Sequence, residues 1–129
     1  LGMARATCCD DQIRKELLDL EAALGLVMGY LALYPGLPEP DPAALEAIIS
    51  RAREVVGTTF RFVRPGDSVP GAALHQARTV ARRAERAAVK LYREGQLDEK
   101  AYAYINRLSD AIYALSLWTD KVNRECGKE

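Results

Sequence analysis

From Ile13 onward, apolar residues recur at Ile13, Leu17, Leu20, Leu24, Val27 and Leu31, in alternating steps of four and three. That spacing keeps one stripe of a helix apolar and predicts a first long helix. Tyr34-Pro35-Gly36 ends it, because proline disfavours helical geometry in its predecessor and glycine relaxes the turn. Leu37-Pro38-Glu39-Pro40 reads as an extended connector. Asp41-Pro42 opens a second helix: the Asp accepts from a free backbone N–H, and a proline at the first position loses no bond. Leu45, Ile48, Ile49, Ala52 and Val56 form its expected buried face, and Gly57 closes it.

Residues 58–67 have no helical period; β-branched and aromatic residues run into a Pro-Gly turn, and an ordered loop is expected. A third helix is expected from about Ser68-Val69-Pro70 to Glu94, with Gly95 as its stop. A fourth begins near Asp98 and carries Ile105, Leu108, Ile112, Leu115 and Val122 on one face. Four long helices with short connections predict an all-α, mainly antiparallel bundle, forming a single domain over residues 1–129.

The third helix changes the picture from fold to chemistry. At about 100° per residue, Ala77, Val80, Ala84, Ala88 and Leu91 fall within one arc, so this face is expected to pack. His75, Arg78, Arg82, Glu85 and Arg86 lie opposite. A solvated face of i,i+4 pairs is one reading of that stripe. Its arginines, with no lysine before Lys90, leave open the other reading, a surface that grips phosphate or carboxylate. The fourth helix offers Asn106, Asp110 and Tyr113 at i, i+4, i+7, either as ligand contacts or as a polar network between helices or subunits. His75 is expected to be structural, and Tyr102, Tyr104, Tyr113 and Trp118 to pack with a polar tip.

Composition mostly excludes. The 129 residues carry 18 Lys+Arg against 18 Asp+Glu, so no global charge draws a nucleic acid or an acidic membrane. Glu85 within the arginine stripe also argues against a groove-tracking surface. No apolar run approaches the length of a membrane span, and the N-terminus lacks a signal peptide's apolar region, so the cytoplasm is the expected compartment. Cys8, Cys9 and Cys126 make neither a disulfide framework nor a four-ligand zinc site. A single histidine excludes chemistry built on several.

Three segments then carry a resemblance. Phe62-Val63-Arg64-Pro65-Gly66, the run from Ala73-Leu74-His75 through Arg82-Arg83-Ala84-Glu85-Arg86, and Ile105-Asn106-Arg107-Leu108-Ser109-Asp110 occur in order and spacing. They resemble the FVLPGG, LHxARTVxRRAER and LNRLSD patterns of the PduO-type ATP:cob(I)alamin adenosyltransferases. The resemblance covers about residues 60–115, with a looser echo at Ala22-Ala23-Leu24-Gly25. It implies a five-helix bundle, a homotrimer with sites between subunits, and transfer of the adenosyl group of ATP to the cobalt of a reduced corrinoid, with magnesium assisting. Carried over by position, Arg78 resembles the arginine of an inter-subunit ion pair beside the nucleotide, and Arg82 with Glu85 the pair that contacts ATP; the two arginines are the expected catalytic residues. Asn106 resembles the asparagine of the nucleotide site, and Phe62 the aromatic on the lower corrin face. Arg83, Arg86, Asp110 and His75 are expected in structural or interface roles.

The departures are local. The family's TxxGDxGxT segment, which wraps the triphosphate, has no counterpart in Leu1–Asp11. The first-helix DELN pattern reads Leu18-Asp19-Leu20-Glu21, placing Leu18 where an acid would pair with Arg78, unless Asp19 substitutes. Arg64 and Asp67 replace an apolar residue and a glycine near the corrin. These differences motivate the alternative of a non-catalytic nucleotide- or corrinoid-binding module of the same fold.

Overall fold

A computed structural model describes residues 1–57 and 65–126, with side chains through residue 123. Five helices follow in order: α1 (Gly2–Thr7), α2 (Asp11–Leu31), α3 (Ala43–Val56), α4 (Val69–Arg93) and α5 (Glu99–Cys126). No strand occurs among the described residues, so the all-α bundle expected from periodicity is the fold. The short α1 was not legible in the pattern. It is too brief to form alone, and exists by seating Ala4 in the core against α2 and α4.

Each boundary has a local cause. Asp10 caps α2 by accepting from the Ile13 N–H at 2.9 Å. Asp41 accepts from the Ala43 N–H at 2.9 Å, so α3 starts one residue later than expected, with Pro42 just outside it. Helices α2 and α4 end alike. Leu33 and Gly95 take positive φ while Tyr34 and Gln96 donate back to the Gly29 and Leu91 carbonyls. Leucine in that conformation is strained, and Leu33 is 89% exposed.

Helix α5 is the central rod. Its most extensive contact is with α4, then with α3, and it also touches α2. The pairs His75–Asp120 and Tyr92–Tyr102 run in opposite directions along the two helices, so α4 is antiparallel to α5. The pairs Glu46–Arg107 and Val55–Lys121 ascend together, so α3 is parallel to it. The core holds Ile13, Leu17 and Leu20 of α2, Leu45, Ile48 and Ile49 of α3, and Leu108, Ile112, Leu115 and Trp118 of α5.

Helix α4 departs from its expected orientation. Its buried line is Leu74, Ala81 and Ala88, with Ala77, Arg78 and Glu85 half-buried beside it. Val80 is 50% exposed, and Ala84 and Leu91 are exposed too. Apolar composition alone had placed Val80, Ala84 and Leu91 inward. The close α4–α5 approach instead turns that strip outward and draws Arg78 and Glu85 in. No described helix is long and apolar enough to cross a membrane.

Candidate functional site at the α4–α5 seam

Because α4 and α5 approach through alanines, side chains flanking the seam are held between two backbones. Arg78 is the first of these. Its guanidinium carbon lies 4.5 Å from the centroid of the Tyr113 ring. A cation over an aromatic face is attracted by the ring quadrupole, and the flat contact leaves the guanidinium edges available for anions. Tyr113 had been expected to pack or to serve a polar strip; it is the platform for the arginine.

Further along α4, Arg82, Arg83 and Arg86 are exposed, and none makes an ion pair among the described residues. Some arginines on other helices are paired. Arg51 grips Glu16 with two bonds of 2.8 Å, and Arg5 meets Glu21 at 3.0 Å. Glu85 is half-buried on the same helix and forms no ion pair with Arg82. Among the described residues, Arg78, Arg82, Arg83 and Arg86 thus share one helix without a carboxylate partner, an arrangement that suits a polyanion.

The remaining expected positions divide. Asn106 is exposed on α5, on the side of Asp110 and Tyr113. Asp110 does not meet the α4 arginines. It accepts from Arg107 at 2.7 Å, while Arg107 also bonds Glu46 on α3 at 2.5 and 3.2 Å. That bridge lowers the Glu46 carboxyl and raises Arg107, in both cases chiefly through their mutual hydrogen bonds. Asp110 thus joins the α5–α3 bridge only through Arg107 on its own helix. His75 Nε2 stands 3.5 Å from Asp120 Oδ2. Asp19 pairs with Lys15 at 3.2 Å and borders α3, so within one chain it does not stand in for the acid absent at Leu18.

Phe62 lies outside the described residues. The end of α3 at Val56 and Gly57 borders a cleft of about 470 Å³ between α3 and α5. Ile49, Val56, Gly57, Tyr113 and Leu117 are among its walls, so Tyr113 faces both the cleft and Arg78. Among the described residues, no cluster of three or more His, Cys, Asp or Glu side chains could hold a metal ion.

Comparison with known proteins decides what this seam belongs to. A sequence model of the cobalamin adenosyltransferase family matches residues 1–119. The chain belongs to the cobalamin adenosyltransferase family. A corrinoid adenosyltransferase of Citrobacter freundii is 35% identical over 124 residues, covering 90% of this chain and 70% of that protein. A cobalamin adenosyltransferase of Cupriavidus metallidurans is 35% identical over 108 residues, covering 82% of this chain and 59% of that one. The fold also matches a solved variant of the PduO-type ATP:corrinoid adenosyltransferase from Lactobacillus reuteri, complexed with cobalamin and ATP. That match has a TM-score of 0.79 and 27% identity, covering 95% of this chain and 74% of the other. The family expected from the LHxARTVxRRAER and NRLSD-like segments is the family found. Sequence reasoning missed the group of Ser68, Gly71 and Asp120, whose carboxylate also faces His75; the cue was a Ser-Val-Pro-Gly helix start, whose partner seven residues beyond Tyr113 nothing in the pattern revealed.

Proposed function

We propose that residues 1–129 act as one helical-bundle domain of an ATP:corrinoid adenosyltransferase. The domain would assemble as a homotrimer with sites between subunits. The reaction moves the adenosyl group of ATP onto the cobalt of cob(I)alamin. A Co–C5′ bond forms with the metal's electron pair, the C5′–O bond breaks, and triphosphate leaves with the two electrons of the broken C5′–O bond. The corrinoid is itself the nucleophile, so the chain need not provide one; it must orient the nucleotide and stabilise charge on the leaving group.

One observation carries this reading: Arg78 is fixed on Tyr113 while Arg82, Arg83 and Arg86 stand without acidic partners on the same helix. In this assignment Arg78 and Arg82 neutralise the departing polyphosphate, and Glu85 and Asn106 orient the nucleotide. Phe62 lies against the lower corrin face, and the α3–α5 cleft offers a partly apolar bed. The exposed strip of Val80, Ala84 and Leu91, together with Leu18 at 49% exposure, supplies apolar surface for neighbouring protomers. Magnesium would travel with the triphosphate, since no cluster of three or more His, Cys, Asp or Glu side chains among the described residues could hold it.

The direct test mixes the protein with ATP, magnesium and chemically reduced cobalamin under anaerobic conditions and follows the visible spectrum. Adenosylcobalamin should accumulate and depend on Arg82; binding of either substrate without turnover would favour the non-catalytic module. Light scattering on the eluting protein tests the trimer independently.

A further inference from the structure

The most deeply buried acid among the described residues is one the proposed chemistry does not use. Asp120, on α5, is 2% exposed. Its Oδ1 accepts from the Ser68 hydroxyl at 2.9 Å, and its Oδ2 faces His75 Nε2 at 3.5 Å. Those last two atoms have no hydrogen-bond partner among the described residues, so each is the other's electrostatic complement. The Ser68 oxygen in turn accepts from the Gly71 N–H at 3.0 Å and caps α4. A Cβ at Gly71 would collide with Asp120 Oδ1 and Ser68 Oγ, so this approach requires glycine. The opening turns of α4 are therefore built around one carboxylate from α5.

Burying such a group is costly, and an apolar replacement commonly serves stability as well or better. The best-attested use of a buried polar group is to fix register between helices. Here that need is plain. At the far end of the seam, Tyr92 stacks on Tyr102 with centroids 4.3 Å apart. Between the two ends, α4 presents Ala77, Ala81 and Ala88 to its neighbours. A line of alanines looks much the same after a slip of one turn, about 5.4 Å. Arg78 sits one turn beyond His75, and Tyr113 two turns before Asp120, so their contact depends on the register being right.

We propose that Asp120 is a positioning residue: through His75 and Ser68 it fixes the axial register of α4 on α5, and so holds Arg78 over Tyr113. Its consequence for nucleotide binding rests on the function proposed above; the register itself does not.

Two substitutions test this by different routes. Asp120→Asn keeps the shape and removes the charge facing His75, whereas Gly71→Ala keeps every charge and drives a methyl group into the carboxylate. With native cysteines replaced by alanine, nitroxides at the exposed positions Gln76 and Lys100 report the interhelical distance by pulsed EPR. Both substitutions should displace that distance by up to about one turn or broaden its distribution; distributions matching the parent in both variants would overturn the register role. Calorimetry then measures ATP affinity in a cycle with Arg78→Ala. Asp120→Asn should weaken binding about tenfold, and the double variant should bind no more weakly than Arg78→Ala alone. Additive losses would show that Asp120 does not act through Arg78. If the parent chain binds no ATP, the proposed function falls, while the EPR distances still decide the register.

Discussion

The guanidinium of Arg78 rests on the ring of Tyr113, 4.5 Å from its centroid, joining the cationic face of α4 to the α3–α5 cleft. The contact needs a π face rather than a hydroxyl. Tyr113→Phe should therefore keep ATP affinity within about twofold, while Tyr113→Leu should lower it about three- to tenfold. Calorimetry on both variants decides, and equal losses would rule out a role for the ring face.

Arg82 and Arg107 offer a contrast between an unpaired and a paired arginine. Arg82→Ala removes no ion pair found among the described residues, so stability should change by less than about 0.5 kcal/mol. Turnover should nevertheless fall more than about tenfold if Arg82 neutralises the leaving group. Arg107→Met breaks the bridge to Glu46 and Asp110. It should cost up to about 1 kcal/mol, because that network is partly exposed. Thermal melts alongside kinetics separate the two.

The orientation of α4 is open to a packing test. Ala81 is buried and Ala84, three residues on, is exposed. Ala81→Leu must force α4 from α5 and should destabilise by about 1–3 kcal/mol. Ala84→Leu should leave the folded protomer's stability within about 0.5 kcal/mol while perturbing assembly. Denaturant melts with light scattering would show the pattern, and the reverse order would restore the orientation expected from composition.

The Tyr30–Asp98 hydrogen bond ties the end of α2 to the start of α5, where Asp98 also accepts from the Ala101 N–H at 2.7 Å. The bond pushes the Tyr30 phenol up to about 12 and, with that N–H, pulls the Asp98 carboxyl down. A raised phenol stabilises the fold fully below its unfolded value of about 10, and that contribution is lost as pH climbs through the folded value. A lowered carboxyl contributes fully above about pH 4 and is lost as pH falls through its folded value. Tyr30→Phe should flatten the alkaline decline in melting temperature between about pH 10 and pH 12 and part of the acid decline. Parallel curves for variant and parent would show that the bond does not form in solution.

Much of this protein was determined along the chain alone. The periodicity through Ile13, Leu17 and Leu20, and through Leu108, Ile112 and Leu115, marked the buried faces, because helical burial repeats in step with the backbone. Gly95 and Asp98 lie at the end of α4 and the start of α5, boundaries that the pattern located closely, since caps act on backbone groups a few residues away. The Arg78-to-Arg86 stripe and Asn106 could be picked out for the same local reason: they crowd unusual chemistry into one or two helices.

Only the tertiary structure decided which way α4 faces. A stripe of Val80, Ala84 and Leu91 looks as buriable as one of Leu74, Ala81 and Ala88, and nothing within a helix chooses between them. The choice is made by close approach to α5, by Gly71 admitting the Asp120 carboxylate, and by His75 meeting it from another turn. Those partners are some fifty residues apart in sequence, and a side chain's environment is fixed by what the fold sets against it.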